Sequence, residues 1–150
     1  MKRLLLAICA VALFASCSDK LQKEDDPADA FVGTYTFTDS YFVTWGSDSR
    51  AMSSNGTFKL SKVSSNQVKM TGAWTSLGQV SGNTVSFSID TQSDASGYIT
   101  YTFGAGTLTG YTLIFSYYGN GSLKYSNGIA YPWTCSGQVL ATKIELASVI

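Results

Sequence analysis

Histidine is absent from all 150 residues, and that omission removes several kinds of chemistry at once. Ser-His-Asp and Cys-His nucleophilic sites need an imidazole to take a proton, and most zinc sites need one as a ligand. Cys9, Cys17 and Cys135 are too few for an all-thiolate zinc site. Beyond residue 30 the carboxylates are Asp39, Asp48, Asp90, Asp94 and Glu145, most of them beside Ser or Gly, where solvated loop charges are expected. Two acids for glycoside hydrolysis would have to come from distant positions such as Asp39 and Glu145. Asp90-Thr91-Gln92-Ser93-Asp94 lacks the third acid and the glycine of a calcium loop. Gly104-Ala105-Gly106-Thr107-Leu108-Thr109-Gly110 has nearly the spacing of a phosphate cradle, but no helix follows it, so it reads as a bend. The expectation is a protein that is not an enzyme, with no cofactor and no metal.

The constructive chemistry lies in the aromatic rings. Of the 17 Phe and Tyr and 3 Trp, all but Phe14 fall after residue 30. Trp45, Trp74, Tyr117, Tyr118, Tyr131 and Trp133 lie near expected strand ends or loops, where amphipathic rings can stack on a sugar, a sterol-like ring or a peptide. Tyr118 falls off the apolar phase of its strand, and Tyr131 and Trp133 flank Pro132. Trp45, Trp74, Tyr118, Tyr131 and Trp133 are therefore the candidate ligand-binding residues, expected at the mouth of a barrel. The plainer use of the same rings is core and rim packing.

The elements that must carry these rings show a two-residue period from Phe31 almost to the end. In Gly33–Trp45, Tyr35, Phe37, Tyr41, Val43 and Trp45 alternate with Thr34, Thr36, Thr38, Ser40 and Thr44, with Phe42 the exception, as in a half-buried strand. The alternation recurs at Phe58 and Leu60, then at Val68, Met70 and Trp74, and again at Val85, Phe87 and Ile89. It continues through Ile99, Tyr101 and Phe103, then Leu113, Phe115 and Tyr117. Ser64-Ser65-Asn66, Ser81-Gly82-Asn83, Gly110 and Gly119-Asn120-Gly121 supply turn chemistry, and Gly104-Ala105-Gly106 a bulge that lets a sheet curl. Asp90 to Gly97 and Asn127 to Trp133 read as loops. Eight or nine short strands joined in sequence give an all-β, antiparallel up-and-down barrel of about eight strands, with a β-sandwich as the alternative. Closure hides the strand edges, and a barrel of that size is either filled or holds one small ligand.

The N-terminus has a different character. Lys2 and Arg3 precede an apolar run from Leu4 to Phe14, and Ala15-Ser16 precede Cys17, the pattern of an export signal. The stretch resembles a bacterial lipobox, which implies cleavage before Cys17, acylation of its thiol and a lasting hold on a membrane through several acyl chains. The run is too short for a membrane-spanning helix. The expected organisation is a leader over 1–16, a lipidated Cys17 with a flexible acidic tether over 17–30, and a β-barrel over 31–150. Lys23-Glu24-Asp25-Asp26 resembles the acidic signals that send some lipoproteins to the cell exterior. Losing Lys2 and Arg3 takes ten basic residues to eight against ten acidic ones, a charge balance that argues against nucleic acid as a partner. Cys135 is left without a partner in the mature chain and is expected to be a small apolar filler.

From Phe31 to Leu146 the chain resembles the calycin-like, lipocalin-like β-barrel lipoproteins of Gram-negative gut bacteria. The likeness rests on the Phe31-Val32-Gly33-Thr34-Tyr35 opening, the similar hairpins from Val80 to Phe87 and from Leu108 to Phe115, and the leader. Where lipocalins pair Gly-x-Trp with an Arg of the last strand, this chain has Tyr35 and Lys143, so no binding residue is carried over. The resemblance and the leader imply an outer-membrane, lipid-anchored lipoprotein, on the periplasmic face or at the cell surface; the aromatic rings add the expectation of a small hydrophobic or aromatic-stacking ligand. The alternative is a structural envelope lipoprotein whose filled barrel docks on a partner protein. A cavity of about 300 Å³ or more favours the first of these.

Overall fold

Alternating rings and hydroxyls make Gly33–Trp45 (β1) a strand with one apolar face, and it pairs antiparallel on both edges along nearly its whole length. The computed structural model describes residues 26–94, 97–124 and 129–144. The leader, Cys17, the tether through residue 25 and Glu145 lie outside these. A short helix, α1 (Pro27–Phe31), precedes β1. After β1 come β2 (Asp48–Ser64), β3 (Gln67–Gly72), β4 (Ser76–Ser81), β5 (Thr84–Phe87), β6 (Asp90–Asp94), β7 (Gly97–Phe103), β8 (Ala105–Thr109), β9 (Thr112–Lys124) and β10 (Ala130–Lys143).

The ten strands reduce to an eight-membered meander. Strand β5 pairs with β8 and β6 with β7 in one continuous register, so 84–94 and 97–109 are two arms of a single interrupted hairpin. Both β7 and β8 then pair with β9, one after the other. Each arm is therefore hydrogen-bonded to the next in the chain, and β10 closes the ring by pairing with β9 on one side and β1 on the other. This is an antiparallel up-and-down barrel. Gly82 and Gly110 take φ of 57° and 59° in the tight turns after β4 and β8, a backbone region open to glycine.

The expected bend at Gly104 is a bulge: Phe103 lies opposite Tyr117, but Thr107 lies opposite Ile114, one residue out of step. Inward positions accordingly change from Tyr101 and Phe103 to Gly106 and Leu108. A second break, at Ser88 and Ile89, faces the first. Ile89, expected inward with Val85 and Phe87, is 62% exposed, because the break reverses the phase before buried Asp90. The expected loop over 90–97 contains strand β6, and β10 starts at Ala130 inside the expected loop over 127–133. Period alone misses such segments, since polar strands near a barrel mouth have no dry face to display.

One end of the barrel is filled. Tyr35, Phe58, Leu60, Val68, Met70, Leu113, Phe115 and Val139 are essentially inaccessible to solvent, and the Tyr35 and Phe58 rings stack at 5.2 Å. Proline suits the first turn of α1 because its missing N–H would have no partner there. The helix buries Ala28 and Phe31 against this end and is pinned by Ala28 N–H to the Ser65 carbonyl at 3.0 Å. Tyr35 Oη donates to the Phe31 carbonyl at 2.8 Å, Lys143 Nζ donates to that of Ala30 at 3.2 Å, and Lys62 pairs with Asp26 and Asp29. Residues 26–30, placed in the tether by sequence, thus lie against the barrel.

Candidate functional site

The opposite end is not filled, for a reason written in strand length. Strands β3 and β4 share only four paired positions, whereas β1 and β2 pair over all of β1. Above the β3–β4 connection, the 48–57 stretch of β2 pairs only with β1, and β6 pairs only with β7, among the described residues. The rim is therefore low on that side. Side chains complete the backbone bonding where the ladder stops: Asp90 Oδ2 accepts from Thr75 N–H at 3.3 Å and Gln92 Nε2 at 2.9 Å, and Ser76 Oγ donates to the Ser88 carbonyl at 2.7 Å. Asp90 has a structural task there.

The connection, Ala73-Trp74-Thr75, drops Trp74 into the barrel. Its ring centroid lies 5.1 to 6.5 Å from those of Phe37, Phe58, Tyr101, Phe103, Phe115 and Tyr117. Trp74 thereby separates the filled end from a cavity of about 380 Å³. Tyr41, Val43 and Trp45 of β1, Met52 and Ser54 of β2, Tyr101 of β7, Tyr117 and Leu123 of β9, and Trp133 and Cys135 of β10 line it with Trp74. A smaller hollow of about 180 Å³, bounded by Gln92, Tyr98 and Ile99, shares Leu123 and Trp133 with it.

Cross-strand glycines make room for these rings. A Cβ on Gly137 would lie 2.8 Å from the Tyr117 ring, and one on Gly119 would lie 2.5 Å from Cys135 Sγ and 3.3 Å from the Tyr101 ring. Each of these glycines stands directly opposite the residue that needs the space.

Among the rings sits one acid. Asp39 occupies an inward position of β1 and is 3% exposed. Its Oδ2 accepts from Tyr117 Oη at 2.6 Å, while Oδ1 is buried with no partner among the described residues, as is the Trp133 Nε1 donor. Burial pushes the Asp39 carboxyl above the usual range, with the Tyr117 bond pulling the other way. Burial, then the Asp39 bond, drives the Tyr117 hydroxyl well above the ordinary tyrosine range. Burial raises Tyr101 to about 12. Cys135 is raised by burial too, so its thiol stays protonated at neutral pH. The cavity offers π faces and, among the described residues, two buried polar atoms without a partner: Asp39 Oδ1 and Trp133 Nε1.

Of the sequence candidates, Trp45, Trp74 and Trp133 come together around this cavity. Tyr118 is 47% exposed at an outward position, and Tyr131 is 46% exposed; neither lines it. Sequence reasoning passed over Asp39, Tyr41 and Tyr101 as site residues. The available signal was phase, since Asp39 falls in step with Tyr35, Phe37 and Tyr41.

No protein-family model and no curated protein matches the chain. Among solved structures it is similar to a tryptophan-to-alanine mutant of the vaccine antigen transferrin binding protein B from Haemophilus parasuis, at 13% identity and a TM-score of 0.35. That match covers 81% of this chain and 29% of the other, so the chain spans less than a third of that protein's length.

Proposed function

We propose that this protein is a lipid-anchored lipoprotein of the outer membrane whose barrel holds a small, largely apolar ligand against the three indoles. The observation that carries the reading is the cavity: about 380 Å³, within the usual range for small-molecule sites, walled by rings and holding a few polar groups, Asp39 and the Trp133 N–H among them. A docking protein with a filled barrel has no use for such a space. The anchor rests on Cys17 after Ala15-Ser16, and on the acidic stretch over 23–26 for the outer face. Because α1 packs at the filled end and β1 runs from there to Trp45 at the mouth, the tether enters opposite the cavity. Cys17 lies nine residues before Asp26, a reach of at most about 30 Å, so the anchor joins the barrel at the filled end and leaves the mouth free of the tether.

The test uses the chain from Ser18 onward, which contains the helix and the whole closed ring. The neutral dye N-phenyl-1-naphthylamine is expected to brighten on binding at a single saturable site. Ser54→Trp, at an exposed position on the cavity wall, should abolish that signal while leaving the thermal melt in place. A dye that stays dark, or one that binds the variant equally well, sinks the proposal.

A further inference from the structure

We infer that the ligand is an organic cation, an amine whose ammonium group meets Asp39 Oδ1 while its carbon body lies against the rings of Tyr41, Trp74, Tyr101 and Trp133. This rests on the cavity being a binding site, as proposed above, and adds what chemistry it selects.

A buried carboxyl is costly unless a partner meets it, and removing a carboxylate from water is tolerated only with a cation or a full set of donors. Among the described residues Asp39 has one donor, Tyr117 Oη, and its second oxygen is buried with none. Among the described residues no Lys or Arg lines the cavity, and none of them meets this acid. The neighbours at hand are neutral: the Tyr117 and Tyr101 hydroxyls and the Cys135 thiol are all held protonated by burial. Without a ligand the acid can stay protonated; a ligand that brings a cation to Oδ1 supplies the missing partner and favours the ionised form of Asp39.

The walls fit the same guest. The negative faces of Trp and Tyr attract cations, more so when water is excluded, and a carboxylate backed by several rings is an arrangement suited to ammonium groups. Anions are turned away by Asp39. The unpartnered Trp133 Nε1 donor asks for an oxygen acceptor on the same molecule, such as a hydroxyl or carbonyl some distance from the nitrogen.

Three probes sharing one body separate the possibilities: 2-phenylethylamine, 2-phenylethanol and 3-phenylpropionate, titrated against tryptophan fluorescence of the chain from Ser18 onward at neutral pH. The amine is expected to bind about ten-fold or more tightly than the alcohol, and the acid not to saturate. Asp39→Asn, which keeps an oxygen for Tyr117 to donate to, should bring the amine down to the alcohol's affinity and leave the alcohol unchanged. An amine that binds no better than the alcohol or the acid overturns the inference, and so does an unchanged amine affinity in a folded Asp39→Asn. The wild-type ranking decides by itself if that variant does not fold. Dye binding with the wrong probe ranking removes the cation and leaves the cavity's role intact, whereas silence from dye and probes alike removes both.

Discussion

A carboxyl among the rings of β1 weakens the barrel wherever it ionises without a partner, and that cost is measurable. Burial lifts the pKa of Asp39 above its ordinary 3.8, so the folded state prefers the protonated acid. The stability this gives is fully present below about pH 3.8 and is lost as pH rises through the folded value. Asp39→Asn is therefore expected to melt higher than wild type at pH 7, with the gap closing toward acid pH. Melts at several pH values check this, and a variant less stable at pH 7 than at pH 4, relative to wild type, contradicts it. A binding residue that lowers the stability of its own fold is the usual trade at a functional site. Cys135 gives a second test: held protonated and 4% exposed, it should react slowly with a thiol reagent in the native state and quickly in urea.

Individual strands are shaped to keep the cavity open at the mouth and shut at the base. Gly137 opposite Tyr117 fixes the ring that holds Asp39, and a methyl there would push the ring off its bond. Gly137→Ala is expected to cost about 1–3 kcal/mol, as overpacking does, measured by urea unfolding. It should also weaken probe binding, a readout that a simple loss of packing elsewhere would not share. The paired breaks at Ser88 and Gly104 act at the level of the element too, since they change which side chains face inward between the base and the mouth. The short β3 and β4 lower the rim and deliver Trp74 as a partition.

For the molecule as a whole, the base is closed by α1 and the mouth stands at the far end. Phe31 is the plug, fully buried at the barrel's end. Phe31→Ala should cost about 3–5 kcal/mol in equilibrium unfolding. Lys62→Ala, which removes exposed, solvent-screened pairs with Asp26 and Asp29, should cost far less than Phe31→Ala. If both variants lose the same amount, the helix is held by charge and not by burial. Probe binding should survive in both, because the cavity lies at the other end of the ring.

Much of this fold is legible in the chain itself, because a strand's two-residue period is local: Tyr35, Phe37 and Val43 declare their face wherever they are, and Gly82 and Gly110 declare their turns. Phase also placed Trp45 on the inward side of β1, and the glycines at 104 and 106 announced a break in the sheet. Period was silent over 48–57 and 91–93, where nearly every side chain is exposed on either face of the strand. It could not say which rings share a cavity, since that depends on ring closure: Asp39 and Tyr117 are 78 positions apart and meet because β9, β10 and β1 lie side by side. Local chemistry chose sheet, turns and phase. Only the closed barrel, by bringing distant strands into register, turned an acid that reads as a loop charge into the polar centre of an aromatic cavity.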